Sequence, residues 1–337
     1  MQLFGKSTDT DVIVIAEIGV NHEGDPEAAR RLIHLAAEAG ADAVKLQVYT
    51  ADAFITAEDK ERFARVSRFG LSPIVVRQLA AEAKAAGIRL FSTPVSHDVV
   101  PLLDELFEAF KIASGDIDFQ PVIRAAARTG KPVLLSTGCA DLHDIDRAVG
   151  WLRDEMSAAA LTERVVLMQC VSAYPTPAEE ANARAVPFLA ERYGLATGFS
   201  NHVIGPEACF AAVALGASVV EVHVTDQREG RDFRDHQLSF LPGELAALIA
   251  TMGRIRASLG EFGKTIQPSE APARAAIRKG LVAARPLEAG AVLTEEDMGY
   301  ARPTTHFPAA RRDELLGRRL IRSLAKGASF RPTDFVE

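Results

Sequence analysis

The chain has 337 residues, 48% of them hydrophobic, and a formal net charge of −7. That is enough apolar sequence for a large core plus one further small domain. An acid excess with both signs interspersed excludes nucleic acid and anionic membrane as main partners. No apolar run approaches transmembrane length and residues 1–11 lack the apolar stretch of a signal peptide, so a cytoplasmic protein is expected.

Eight short apolar runs follow one another at 12–19, 43–49, 89–95, 109–115, 132–138, 165–172, 196–202 and 218–225. Each is rich in Val, Ile, Leu or Phe and short enough to be a strand buried on both faces. Helical spacing fills the intervals. After the first run, Asp25-Pro26 gives an N-cap and a first-turn proline, Ala28, Leu32, Leu35, Ala36 and Ala39 make an apolar face, and Gly40 closes the helix. Eight strand–helix units over about 250 residues predict a closed (β/α)₈ TIM barrel with parallel strands. The open doubly wound alternative usually carries a glycine-rich phosphate turn after its first strand. Gly19-Val-Asn-His-Glu-Gly24 does not match that fingerprint.

The barrel pattern ends at residue 260. Residues 261–277, with Gly263, Pro268 and Pro272, read as a linker. From 278 to 337 short apolar pieces alternate with turn signals, which predicts a compact β-rich domain close to the lower size limit for a stable core. Within it 287–293 and 324–330 share the shape Leu-x-x-Gly-x-x-Leu/Phe, followed by Thr-Glu-Glu-Asp and Arg-Pro-Thr-Asp. Two copies of a small unit, or two like turns in one fold, would produce this. Cys139, Cys170 and Cys209 sit in apolar segments at no metal-like spacing and read as reduced core residues, the alternative being that one of them lines the site.

In a barrel the C-terminal ends of the strands carry the chemistry. Lys45, Thr93, Lys111, Ser114, Ser136, Thr137 and Ser200 fall there, with Gly115 and Gly138 expected to let backbone amides come close. Cations with hydroxyl and amide donors suit a phosphate, whose oxygens are all acceptors. Either lysine alone reads equally well as a side chain reaching for solvent; the set on one rim is what points to a phosphate. His202 and His223 end adjacent strands, about 4.8 Å apart, and could share a divalent metal, with Glu17 and Asp235 as nearby carboxylates. His22 and Glu23 could serve as well, or shape the first loop. Asp235 lies in the polar loop 226–237, a natural place for a group that closes over substrate.

Several strings, in order, resemble the sialic acid (N-acetylneuraminate) synthase family, which includes the legionaminic and pseudaminic acid synthases. They are Ile15-Ala-Glu-Ile-Gly-Val-Asn-His22, Ala41-Asp-Ala-Val-Lys-Leu-Gln47, Phe91-Ser-Thr-Pro94 and Phe110-Lys-Ile-Ala-Ser-Gly-Asp116. Ser136-Thr-Gly138, Ser172-Ala-Tyr-Pro-Thr-Pro177 and Ala212-Val-Ala-Leu-Gly-Ala-Ser218 continue the series. Lys279-Gly-Leu-Val-Ala-Ala284 and Ala301-Arg-Pro303 resemble the antifreeze-like (SAF) domain. The resemblance implies a transferase that condenses phosphoenolpyruvate with an N-acyl amino sugar in a metal-dependent reaction, manganese being expected and magnesium or cobalt the alternatives. It assigns phosphoenolpyruvate binding to Lys45, Thr93, Lys111, Ser114, Ser136 and Ser200, and metal binding to His202 and His223. Glu17 and Asp235 become the catalytic carboxylates and Tyr174 a sugar contact. Arg302 would reach the sugar from the partner subunit of a domain-swapped homodimer.

Departures from the family pattern concern the sugar more than the phosphate. They are Met168-Gln169-Cys170, Pro94-Val95-Ser96, a loop before Asp235 that is one residue longer, and Thr304 where Arg-Pro is usually followed by glycine. Two other readings stay open: a phosphoenolpyruvate-dependent synthase acting on another, phosphorylated sugar, and a catalytically silent carbohydrate-binding protein on the same fold.

Overall fold

A computed structural model describes residues 1–231 and 233–336. Contacts divide the chain into two units, Met1–Gly260 and Glu261–Glu337.

The first unit is a closed barrel of eight parallel strands. These are β1 (Ile13–Gly19), β2 (Ala43–Val48), β3 (Arg89–Pro94), β4 (Phe110–Ile112), β5 (Val133–Ser136), β6 (Val165–Cys170), β7 (Ala196–Asn201) and β8 (Val219–His223). Closure is made by β8, which pairs with β7 and also with β1, from Val219 opposite Ile13 to His223 opposite Glu17. The outer helices are α1 (Pro26–Glu38), α2 (Pro73–Ala85), α3 (Val100–Leu106), α4 (Gln120–Arg128), α5 (Leu142–Glu155), α6 (Ala185–Tyr193), α7 (Glu207–Ala214) and α8 (Pro242–Leu259).

Local sequence explains these elements. The Asp25 side chain accepts from Glu27 N at 2.9 Å, Pro26 opens α1, and Ala28, Ala29, Leu32, Ile33 and Ala36 form its buried face. In α5 Asp141 and Asp144 cap reciprocally. Every residue of β1, β5, β6 and β8 is buried, as strands covered by side chains inside and helices outside must be. A short N-terminal hairpin (Gln2–Leu3 with Lys6–Ser7) lies at the opposite end from the mouth. Lys6 Nζ there stands 2.7 Å from Asp42 Oδ1, just before β2, and the ring of Phe4 packs on Phe91.

Several apolar runs overshoot the ladders. β4 stops at Ile112 and Ser114–Asp116 form a 3₁₀ turn, and β6 stops at Cys170 rather than at 172. The chain leaves the sheet where the barrel opens, so the reactive residues at these ends sit on turns. Two further helices, Ala51–Phe54 and Lys60–Phe69, stand between β2 and α2. Among the described residues no helix is long and apolar enough to cross a membrane.

In the second unit β9 (Gly280–Ala283) pairs antiparallel with β10 (Met298–Ala301). Its core is built from Leu281, Leu287, Leu293, Met298, Phe307, Leu315, Leu320, Leu324, Phe330 and Phe335. The two similar strings meet each other: Leu287 and Leu324 exchange both backbone hydrogen bonds at 2.8 Å. Each copy ends in a buried aspartate paired with an arginine at the same offset, Arg285 with Asp297 at 2.7 Å and Arg322 with Asp334 at 2.6 Å. Residues 261–277, read above as a linker, group with this unit, where Thr304 N donates to Ala275 O at 3.0 Å.

Candidate active site

A cavity of about 960 Å³ opens at the C-terminal end of the strands, and Glu17, Lys45, Lys111 and Glu221 lie at its floor. The β1–β2 ladder slips one residue between Glu17 and Gly19. A Cβ on Gly19 would stand 2.7 Å from Glu17 Oε1, so this glycine leaves room for the carboxylate. Glu17 Oε2 is 3.2 Å from Lys45 Nζ, and Gln47 Nε2 donates to Glu17 Oε1 at 3.1 Å. Across the lumen, Glu221 Oε1 accepts from Lys111 Nζ at 3.2 Å and from Ser200 Oγ at 2.9 Å, while its Oε2 faces Lys45 Nζ at 3.4 Å. Lys45 Nζ also donates to Thr93 Oγ1 at 3.4 Å.

All of these side chains are buried except Gln47, which is half-buried. Burial works against the Lys45 ammonium, but Glu17 and Glu221 outweigh it and hold its pKa above the ordinary lysine range. Burial dominates at Lys111, which is pulled below that range despite Glu221. Burial opposes the Glu221 carboxylate too, yet Lys111 and Lys45 prevail and keep its pKa well below the usual value.

The serines form the adjoining wall. Ser114 Oγ accepts from Gly138 N at 3.0 Å and lies 3.0 Å from Cys170 Sγ. A Cβ on Gly138 would meet Ser172 Oγ at 2.4 Å and Ser114 Oγ at 2.7 Å, so close approach requires glycine there. Gly115 lines the cavity, and no protein atom lies within 4 Å of where its Cβ would be. Thr137 Oγ1 donates to Met168 O at 3.0 Å and braces the strands. Ser136 Oγ is buried without a partner, a donor left for a ligand.

His202 and His223 stand side by side with ring centroids 5.5 Å apart. The contact of His202 Nδ1 with Val171 O at 2.6 Å makes Nδ1 the donor and leaves Nε2 free. Burial, with His223 adding to it, pushes the His202 pKa down to about 3, so the ring is neutral, the state a metal needs. Among the described residues no three His, Cys, Asp or Glu side chains close into a metal-holding set. Glu17 is engaged by Lys45, and Asp235 Oδ2 is 3.8 Å from His223 Nδ1. His202 and His223 are the residues here that could hold a divalent cation.

Asp235 opens a short helix (Asp235–Leu238), is buried, and leaves Oδ1 without a hydrogen bond. The ring of Tyr174 packs 4.1 Å from that of His202, and burial followed by Asp235 raises its phenol pKa, keeping it neutral. Arg234 lies 4.6 Å over the Tyr174 ring. Arg302, in the second unit, is exposed and donates through Nε to Ile277 O at 2.5 Å.

Every residue assigned to the site except Arg302 lines this one cavity. Other lining residues escaped the sequence reading: Arg62 and Arg65 from the Lys60–Phe69 helix, Phe233 and Arg234; Asp116, read only as part of the string ending β4, lines it too. Cys139 and Cys170 also line it, and Cys139 is exposed, so neither is simply packing; Cys209 is a free, buried core residue as expected. His22 is buried, and its Nδ1 accepts from Gly24 N at 3.0 Å, which makes it a shaper of the first loop.

The NeuB family model matches residues 32–264 and the SAF domain model residues 278–336. The chain is 34% identical over 320 residues to an N,N'-diacetyllegionaminic acid synthase of Campylobacter jejuni, covering 91% of this chain and 95% of that one. A pseudaminic acid synthase of the same species is 29% identical, over 99% of this chain and 100% of its own. The crystal structure of an N-acetylneuraminic acid (sialic acid) synthetase from Leptospira borgpetersenii, in complex with citrate, superposes with a TM-score of 0.73 at 34% identity. It covers 78% of this chain and 90% of that one.

Proposed function

The chain belongs to the NeuB family and carries a SAF domain, and on that premise we propose that it is a nonulosonic acid synthase. It joins phosphoenolpyruvate to an open-chain N-acyl amino sugar and releases phosphate. The observation that carries this reading is the convergence of two buried lysines, an unpartnered serine hydroxyl and two adjacent histidines on one cavity.

Lys45, Thr93, Lys111, Ser114, Ser136 and Ser200 bind phosphoenolpyruvate, and Ser136 gives its free hydroxyl to an anionic oxygen. His202 and His223 would hold a divalent cation, manganese first among the candidates, which when bound supplies a Lewis acid for the sugar aldehyde. C3 of the enol attacks the aldehyde carbon, water adds to C2, and the tetrahedral adduct expels phosphate by C–O cleavage. Glu17, oriented by Lys45 and Gln47, holds the proton exchanged with the sugar oxygen and the incoming water. Asp235, with an oxygen free of hydrogen bonds, assists. Tyr174 offers a neutral phenol and ring face to the sugar, and the partner's Arg302 completes the sugar side in a domain-swapped homodimer. Among sugars, a diacetamido-trideoxyhexose is the first to test, because a relative 34% identical over 91% of this chain is an N,N'-diacetyllegionaminic acid synthase.

The test is phosphate release from phosphoenolpyruvate with N-acetylmannosamine, its 6-phosphate and diacetamido sugars. Release is expected with a diacetamido sugar, is abolished by chelation and restored by manganese, and falls at least about a thousandfold in His223→Ala. Release only with a phosphorylated sugar would select the second reading. No release with any sugar by metal-loaded protein would select the silent binder.

A further inference from the structure

We infer that Glu221 is the internal counter-anion of the phosphate site, holding Lys45, Lys111 and Ser200 until phosphoenolpyruvate displaces it. The inference rests on the function proposed above. Three of the groups assigned to the substrate phosphate are turned towards this one carboxylate: Lys111 Nζ at 3.2 Å and Ser200 Oγ at 2.9 Å on Oε1, and Lys45 Nζ at 3.4 Å from Oε2. A carboxylate and a phosphate seek the same donors, since both present only acceptor oxygens to them.

The charge balance of the floor gives the reason. Lys45 and Lys111 are matched by Glu17 and Glu221, so the formal charges of the buried cluster cancel before an anion arrives. Two buried ammonium groups without partners would carry a heavy desolvation penalty. Glu221 relieves it and keeps both lysines aimed into the cavity, while Ser136 Oγ, in the same donor set, stays unpartnered. The arrangement sets a limit on affinity. Phosphoenolpyruvate must take its donors from Glu221, and when the product phosphate leaves, Glu221 takes them back. Glu221 is thus a positioning residue that weakens anion binding and speeds phosphate release.

A residue that merely oriented the lysines would show the opposite sign. Isothermal titration of the full chain with divalent metal present, using phosphoenolpyruvate and then inorganic phosphate, separates the two in wild type and Glu221→Gln. Glutamine keeps the shape and an acceptor oxygen but removes the charge. A unit charge a few ångström from the phosphate at an effective dielectric near 20 makes tightening of at least about tenfold the expected result, for both ligands. In steady state KM for phosphoenolpyruvate and kcat should fall together, as release of phosphate becomes slower. Unchanged or weaker binding by Glu221→Gln, with wild type binding normally, overturns the counter-anion role and leaves the proposed function standing. Failure of the wild type to bind either ligand overturns both. Should Glu221→Gln not fold, a structure of the wild type with phosphoenolpyruvate decides: the Ser200–Glu221 contact must be broken, and a retained contact overturns the inference.

Discussion

Asp116 lies in the turn after β4, half-buried on the cavity wall, and burial followed by the nearby charge of Asp118 pushes its carboxyl up to about 6. A carboxyl raised in the folded state binds more protons there than in the unfolded chain between about pH 4 and pH 6. Stability from this group therefore falls as pH rises through that window, and the penalty persists above it. Asp116→Asn removes the charge but keeps the shape. It should raise the melting temperature at pH 8 by about 2 °C, corresponding to about 1 kcal/mol after discounting for partial solvent exposure, and leave it nearly unchanged at pH 4. Thermal melts at the two pH values check this, and an equal gain at both would show that charge is not the cause. Asp116 was legible only as part of a Ser-Gly-Asp turn, because no sequence pattern reports how far a turn folds into a cavity. Glu221 shows the same limit. Its parity with His223 places both side chains on one face of β8. Its partners, however, lie across the lumen on β2 and β4. Parity gives a face; closure of the barrel chooses the neighbour.

The ends of β1 and β8 illustrate how elements hold the site. Asn21, just past β1, donates through Nδ2 to Val224 O at 2.9 Å and to Ser239 Oγ at 3.0 Å, and Ser239 Oγ donates to Asp235 O at 2.6 Å. One buried amide thus fastens the loop after β1 to the turn that carries Asp235. Asn21→Ala should cost about 2 kcal/mol, since it leaves buried acceptors unmet, and should lower kcat through Asp235 while phosphoenolpyruvate affinity stays within about twofold. Melting curves together with phosphoenolpyruvate titration test this; a loss of affinity equal to the loss of kcat would place the defect in the phosphate site instead. At this scale the strands were the most legible feature, because a strand buried on both faces is a continuous apolar run. Glycine after α1 was legible for a similar physical reason, Gly40 having a φ of +88°. The helix Lys60–Phe69 was not. Its apolar stripe is short, Phe63, Val66 and Phe69 in a run otherwise charged or small, and it sets Arg62 and Arg65 on the cavity wall.

For the molecule as a whole the second unit raises the question of what a small domain adds. Its duplicated Arg–Asp pairs and shared core make it a compact body, and Arg302 projects from it without a carboxylate partner among the described residues. If a synthase site takes its barrel from one subunit and Arg302 from the other, two differently damaged chains can complement each other. His223→Ala destroys the barrel half of a site and Arg302→Ala the sugar-side half. Each homodimer should then have activity reduced at least about a hundredfold. In a co-expressed mixture half of the dimers are mixed, and in each of those one site combines an intact barrel with an intact Arg302. Activity should therefore return to about a quarter of wild type. A mixture no more active than its two parents would mean that Arg302 serves the barrel of its own chain or serves none. Single-variant kinetics separates those cases, since only an arginine that touches the sugar raises KM for the sugar and leaves KM for phosphoenolpyruvate unchanged.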